Sequence, residues 1–220
     1  KQRGAARIFG HKNAIKAVRE VTEGCAELQV KHLTLYAFST ENWNRPKVEV
    51  DGLMSILVST IKKEIPTLKN NNIQLQPLGD ISHLPATAQQ NLMQGIEDTK
   101  GNTGMKLSLA LNYSGRWEIS NAVSNMLNEV KSNNLDIDSL DSSSISEYIS
   151  KNTAPDVELM IRTSGEHRIS NFLLWQCAYA EFHFTNTLWP DFRKADLHNA
   201  IIDYQQRERR YGKTSEQLEK

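Results

Sequence analysis

The stretch "LTLYAFSTENWNRP", residues 33–46, begins apolar and then turns polar. Its apolar part, 33–38, is predicted to be a buried strand, because short apolar runs with β-branched and aromatic residues favour strands. The polar part, 39–45, begins where that strand would end, and a helix is expected from about Asp51. A strand, a loop and a helix in succession are typical of α/β folds.

Three further apolar runs have the length of buried strands. They are "IQLQPLG" (73–79), "MKLSLALN" (105–112) and "VELMIRT" (157–163). Apolar residues at three- and four-residue steps predict helices over 15–28, 51–68 and 197–204. The alternation predicts an α/β fold with a mostly parallel central sheet flanked by helices.

Polar clusters follow each predicted strand. They read "STENWNR" (39–45), "GD" (79–80), "NYSGRW" (112–117) and "RTSGEHR" (162–168). Ligands of open α/β sheets bind beyond the carboxyl ends of the strands. We therefore expect these clusters to form one functional rim.

Composition bounds the class of protein. The chain has 220 residues and a formal net charge of zero, which predicts a single domain without a basic surface for nucleic acid. Cys25 and Cys177 lie in apolar contexts without metal-ligand spacing, so they are interpreted as buried free thiols. No apolar run of about 18 residues and no signal peptide is found, so we expect a cytoplasmic protein.

Arg162 and Arg168 flank a Thr-Ser-Gly turn. A guanidinium group can bind phosphate through two parallel hydrogen bonds, and the backbone N–H groups of a glycine turn can add to them. With Ser170, the two arginines predict a cradle for a diphosphate. A pair of surface arginines in salt bridges is the alternative.

Glu181 lies inside an apolar run, and His167 lies in the preceding polar cluster. A buried carboxylate needs a partner, because an unpaired buried charge is costly. Mg²⁺ would satisfy Glu181, and so would an arginine. His167 is a second candidate ligand, with a hydrogen-bonding role as the alternative.

The stretch "RIFGHKNA" (7–14) places Arg7 and His11 near the start of the first helix. Helix N-termini bind anions, so this basic cluster predicts an anion nearby, with solvated basic residues as the alternative. In the loop after the first strand, Trp43 is interpreted as a core cap or a lid. Glu41 and Asn42 either handle protons or phosphate, or fix the turn.

Together these motifs, and "LWPDF" near residue 190, resemble the cis-prenyltransferases. The resemblance implies a homodimer with a parallel-sheet α/β fold and an elongated hydrophobic tunnel. It implies Mg²⁺-dependent condensation of farnesyl diphosphate with successive isopentenyl diphosphates. The implied product is a long cis-polyprenyl (undecaprenyl) diphosphate, a carrier of cell-wall glycans, whose release suggests peripheral contact with the inner face of the cell membrane.

The resemblance also assigns roles to residues. It assigns proton removal to Asn42 and the allylic diphosphate to Arg7 and His11. The residues matching the flexible substrate loop are Ser39, Thr40, Glu41, Trp43 and Arg45. Those matching the isopentenyl diphosphate site are Arg162, Arg168 and Ser170. Metal-linked positions correspond to His167 and Glu181.

One family motif, Asp-Gly-Asn-Gly-Arg-Trp, would lie just before Lys1 and is not in this sequence. In the family it supplies an aspartate for Mg²⁺, and we expect the native protein to carry it. The alternative is a non-catalytic subunit of a heteromeric cis-prenyltransferase. Such a subunit would not need Asn42, Arg162, Arg168 and Glu181, which are all present.

Overall fold

A computed structural model describes the backbone of residues 7–150 and 155–218, and the side chains of 13–149 and 155–218. The chain divides into two units. The larger unit comprises Thr22–Pro155 and Ser170–Trp175, and the smaller unit comprises Lys1–Val21, Asp156–Ile169 and Gln176–Lys220. The single domain expected from the length remains a prediction.

The larger unit contains a parallel sheet of three strands in the order β1-β3-β2. The strands are β1 His32–Ser39, β2 Gln74–Leu78 and β3 Lys106–Tyr113. Leu107 of the central strand pairs with Leu33 on one side and Leu75 on the other. Leu75 and Leu107 are buried, as is expected of parallel strands covered on both faces.

Six α-helices accompany the strands of the described chain. They are α1 Arg7–Glu27, α2 Lys47–Asn70, α3 Ala86–Thr99, α4 Gly115–Lys131, α5 Ser142–Ser150 and α6 Lys194–Gln205. The predicted helices correspond to α1, α2 and α6. Helix α2 begins at Lys47, directly after Pro46. This start lies four residues before the predicted one.

The smaller unit contains two parallel strands, β4 Leu159–Arg162 and β5 Glu181–Phe184. Leu159 pairs with Glu181, and Arg162 pairs with Phe184. Strand β4 was predicted, whereas β5 was not. Every strand pairing in the described chain is parallel, so the predicted α/β class is confirmed.

The serine-rich segment 131–144, whose polar composition is typical of a surface connection, includes the start of α5. The carboxylate of Asp141 accepts hydrogen bonds from the Ser144 backbone N–H at 2.8 Å and from the Ser143 hydroxyl at 2.7 Å. These bonds lower the pKa of Asp141 to about 2. Asp141 therefore caps a helix in a stretch whose composition indicated only a loop.

Both cysteines are buried and free, as expected. Burial raises the pKa of Cys25 to about 12 and that of Cys177 to about 11. Among the residues that the structure describes, no helix is long and apolar enough to cross a membrane.

Candidate active site

The carboxyl end of β1 leads directly into a 3₁₀ helix, Thr40–Asn44, which holds Asn42 and Trp43. The Ser39 backbone N–H donates a hydrogen bond to Oδ1 of Asn42 at 3.1 Å. Asn42 therefore fixes the turn, which is one of the roles that the sequence left open for it. Its assignment to proton removal remains a prediction.

Glu41 is tied to a distant segment of the larger unit. Its Oε1 accepts a hydrogen bond from Nδ2 of Asn171 at 2.8 Å, and its Oε2 accepts one from the Thr40 hydroxyl at 3.2 Å. Partial burial acts to raise the pKa of Glu41, but the hydrogen bonds, with Asn171 first among them, outweigh it and lower the pKa. Glu41 is therefore held as a carboxylate.

Trp43 contacts both β1 and β3. Its indole N–H donates to Oδ1 of Asn112 at 2.8 Å, and its ring meets that of Phe38 edge-on at 4.9 Å. The Trp43 residue is 38% exposed. In this structure Trp43 is a cap over Phe38 with one side open to solvent, and its action as a lid remains a prediction.

Beside Trp43 lies a pocket of about 500 Å³. The residues that line it are Trp43, Asp80, His83, Asn112 and Trp117. Nδ2 of Asn112 donates to the backbone carbonyl of Asp80 at 2.8 Å, so Asn112 joins the ends of β2 and β3 to the 3₁₀ helix. Three of the four predicted polar clusters therefore meet at one rim of the larger unit.

The turn after β2 depends on Gly79, whose φ is +112°. A Cβ atom at this position would lie 2.2 Å from the backbone oxygen of Leu111, so only glycine fits. The next residue, Asp80, accepts hydrogen bonds from the Ser82 hydroxyl at 2.5 Å and from Nδ1 of His83 at 2.8 Å. These bonds, the one from Ser82 first, lower the pKa of Asp80.

The segment Ser170–Trp175 also belongs to this rim. The backbone oxygen of Asn171 accepts from the Gly115 N–H at 2.7 Å, and its Oδ1 accepts from the Arg116 N–H at 3.0 Å. Phe172 stacks on Tyr36 of β1 at 4.3 Å between ring centres. Ser170 was identified from the sequence, whereas Asn171 was not, because its contact with Glu41 joins residues 130 positions apart.

In the smaller unit, Arg162 is the last residue of β4 and precedes the Thr-Ser-Gly turn. The Ser164 and Gly165 N–H groups donate to the backbone oxygens of Thr187 and Thr185, both at 2.9 Å. We expected these N–H groups to bind phosphate. That expectation is wrong in this structure, because both groups donate to backbone oxygens of the same unit.

The two arginines of the predicted cradle have different surroundings. Arg168 forms an ion pair with Glu166 on the surface. The Nε atom of Arg162 is buried without a hydrogen-bond partner, and no carboxylate in the described part of the chain pairs with Arg162. Arg162 is half-buried, and because its buried Nε–H group needs an acceptor, it is suited to an anionic ligand.

Glu181 has an arginine partner, one of the two outcomes that the sequence allowed. Its Oε2 accepts from Nη1 of Arg207 at 2.9 Å, and Nη2 of Arg207 donates to Asp203 at 2.6 Å. Nδ1 of His183 lies 2.7 Å from the same Asp203 oxygen. The hydrogen bond to Glu181, followed by the one to Asp203, raises the pKa of Arg207.

A metal site is not evident from the protein side chains alone. The described residues contain no group of three or more His, Cys, Asp and Glu side chains that could hold a metal ion. His167 is exposed, with its ring 5.0 Å from that of Phe184. Glu181 is half-buried and fits Mg²⁺ as a single oxygen donor, since Mg²⁺ commonly binds one or two carboxylates together with water and substrate phosphates.

Three remaining predicted site residues are placed as follows. Arg7 and His11 lie on α1 by their backbone, while their side chains fall outside the described residues. Arg45 forms an exposed ion pair with Glu49, 3.0 Å apart, in the first turn of α2.

Comparisons with known proteins place this geometry in a family. The family model described as "Putative undecaprenyl diphosphate synthase" matches residues 1–212. An isoprenyl transferase of Clostridium tetani is 47% identical over 96% of this chain and 83% of its own length. A ditrans,polycis-undecaprenyl-diphosphate synthase ((2E,6E)-farnesyl-diphosphate specific) of Pasteurella multocida is 46% identical over 98% of this chain and 90% of its own length.

The fold has a solved counterpart. The crystal structure of lavandulyl diphosphate synthase from Lavandula x intermedia, in complex with dimethylallyl diphosphate, superimposes with a TM-score of 0.92. The match covers 96% of this chain and 92% of that chain, at 34% sequence identity. With a family model across residues 1–212 and relatives more than two-fifths identical over nearly its whole length, the chain belongs to the undecaprenyl diphosphate synthase family of cis-prenyltransferases.

Proposed function

We propose that this chain is a transferase that condenses farnesyl diphosphate with successive isopentenyl diphosphates into undecaprenyl diphosphate, for use as a cell-wall glycan carrier. One observation carries the proposal: the 46% identity, over 98% of this chain, to a relative named as a farnesyl-diphosphate-specific undecaprenyl diphosphate synthase. The relatives are named as a transferase and a synthase, so the non-catalytic subunit is not favoured.

Each condensation breaks the bond between the allylic carbon and its diphosphate, forms a new carbon–carbon bond and releases a proton from the isopentenyl unit. The two diphosphates must be held so that the reacting carbons meet. Arg162, with no carboxylate partner among the described residues, would bind the isopentenyl diphosphate. Arg168 would exchange its surface partner Glu166 for a phosphate oxygen, and Ser170 would donate its hydroxyl.

The proton that is released needs an acceptor, and Asn42 is the family's candidate. A neutral amide is a poor base, because efficient general-base catalysis needs a pKa near the working pH. Its Oδ1 already accepts the Ser39 N–H, so we assign Asn42 to positioning the isopentenyl group or relaying the proton.

Negative charge accumulates on the departing diphosphate, and Mg²⁺ would supply the cationic charge that stabilises it. Glu181 would provide one carboxylate oxygen for the ion, sharing its charge with Arg207. His167, a softer donor, would serve at most as a hydrogen-bonding group at the metal-linked phosphate.

The growing chain needs an apolar path, since each buried methylene contributes about 0.8 kcal/mol. Helix α2 offers one wall: Ile61 is buried, whereas Leu57 and Val58 are only half-buried. Half-buried apolar side chains leave surface that a prenyl chain can cover. We assign these three residues to the predicted hydrophobic tunnel.

Assembly as a homodimer and peripheral contact with the membrane complete the proposal. The smaller unit exposes three aromatic side chains, Tyr179, Phe184 and Tyr211, and such surface is commonly covered by a partner subunit. The sequence "RRYG" (209–212) resembles the Arg-x-Gly tail of the family, in which Arg210 and Gly212 would reach the partner's site. Membrane contact rests on the apolar character of the product.

The experiment is incorporation of labelled isopentenyl diphosphate into farnesyl diphosphate by the full-length protein, with Mg²⁺ and with excess chelator. The proposal predicts incorporation that chelator abolishes and that added Mg²⁺ restores. Incorporation unaffected by chelator would refute the metal assignment. Binding of both substrates without incorporation would favour the non-catalytic subunit.

A further inference from the structure

We propose that Asn171 is a positioning residue that locks the loop Ser39–Arg45 to the N-terminus of α4 and so sets the position of that loop relative to Ser170. The inference rests on the proposed function, and it assigns a role to a residue outside the sequence-derived site. Asn171 acts through Glu41 and Asn42 and is not itself required to touch substrate.

Asn171 makes three anchoring contacts. Its backbone oxygen and its Oδ1 accept the Gly115 and Arg116 N–H groups at 2.7 Å and 3.0 Å. These are orphan N–H groups of the first turn of α4, which a helix leaves without internal partners. The remaining group, Nδ2, donates to Glu41 at 2.8 Å. One side chain therefore joins a helix end to the substrate loop.

The backbone at Asn171 has a specialised conformation. Ser170 and Asn171 both have positive φ values, 53° and 60°, which non-glycine residues rarely adopt. Such a conformation persists when its surroundings fix it. Phe172 stacks on Tyr36 at 4.3 Å, and Leu174 packs so closely on α4 that a Cβ on Gly115 would lie 2.6 Å from it.

Asn171 lies next to residues that the family resemblance assigns to the reaction. It directly follows Ser170, which the family resemblance assigns to isopentenyl diphosphate, and it bonds Glu41, which neighbours Asn42. A shift in the Asn171–Glu41 contact therefore moves the loop relative to Ser170. Because displacements of about 1 Å can reduce a rate about 100-fold, this contact affects turnover more than substrate binding.

The test uses a polarity exchange. The variant Asn171→Asp keeps an acceptor for the Arg116 N–H, but it places a second carboxylate where Glu41 had a donor. In the double variant, Glu41→Gln supplies an amide N–H that can donate a hydrogen bond to the carboxylate introduced by Asn171→Asp. Asn125→Asp, on an exposed part of α4, adds the same charge away from the contact.

We expect Asn171→Asp to lower kcat about 10-fold, with a smaller change in KM for either substrate. In the Glu41→Gln background the same change should lower kcat less than about threefold, because the hydrogen bond is restored with reversed polarity. Hydrogen exchange of the amides over 39–45 should quicken in Asn171→Asp and recover in the double variant. Asn125→Asp should behave as the parent protein.

Equal losses in the two backgrounds, or unchanged exchange over 39–45 in Asn171→Asp, would overturn the inference. With an active parent protein, that result leaves the proposed function standing. An inactive parent protein would instead refute the proposed function, while hydrogen exchange would still decide the role of Asn171. Thermal unfolding of every variant separates a lost contact from a lost fold.

Discussion

Replacing Arg168 by alanine should weaken the binding of isopentenyl diphosphate but not that of farnesyl diphosphate. Arg168 is 66% exposed and pairs with the partly exposed Glu166, and such surface pairs contribute only about 0–1 kcal/mol. Release of Glu166 therefore costs little when a phosphate arrives. A charge-assisted hydrogen bond contributes about 1.5–3 kcal/mol, which after allowance for solvent screening corresponds to a KM increase of roughly 10- to 30-fold.

The assay is steady-state incorporation with each substrate varied in turn. KM for isopentenyl diphosphate should rise by that factor, while KM for farnesyl diphosphate changes less than about threefold. Arg168→Lys should lie between, because it keeps the charge and loses the planar fork. Glu166→Gln, which removes only the surface partner, should not raise either KM. Equal increases for both substrates would refute the site assignment.

Two further predictions concern the loop and the tunnel. Asn42→Ala should lower kcat, because it removes the acceptor for the Ser39 N–H. The kcat of Asn42→Asp should remain below that of the parent protein, although this variant keeps the acceptor. Full activity of Asn42→Asp would instead indicate a true base at this position. Leu57→Trp or Val58→Trp should shorten the prenyl product, measured by chromatography of the dephosphorylated alcohols, if these half-buried residues line the tunnel. Unchanged product length in a folded variant would show that these residues pack in the core and do not line the tunnel.

Contiguous sequence patterns predicted four strands and the helices α1, α2 and α6, but not α3, α4 and α5. The apolar runs predicted β1 to β4, because each strand is a local stretch with turn signals at its ends. Strand β5 was missed because Glu181–Phe184 is only four residues long and interrupts its apolar residues with Glu and His. The start of α5 was missed because its cap, Asp141, lies among serines that also favour loops.

The features of the site that the sequence did not predict are contacts between residues far apart in the chain. Strand-end placement correctly predicted that Trp43, Asp80 and Asn112 would share a rim. The sequence left the partner of Glu181 open, and only the folded chain brings Arg207 within 2.9 Å of it. No spacing rule relates Asn171 to Glu41, because their contact depends on how the chain returns to α4.

The proposed synthesis of undecaprenyl diphosphate is tested most directly by the product that the full-length protein makes from farnesyl diphosphate, labelled isopentenyl diphosphate and Mg²⁺. We expect repeated condensation that ends at undecaprenyl diphosphate, with cis geometry in the added units. A product from one condensation only, or no product while both substrates bind, would contradict it.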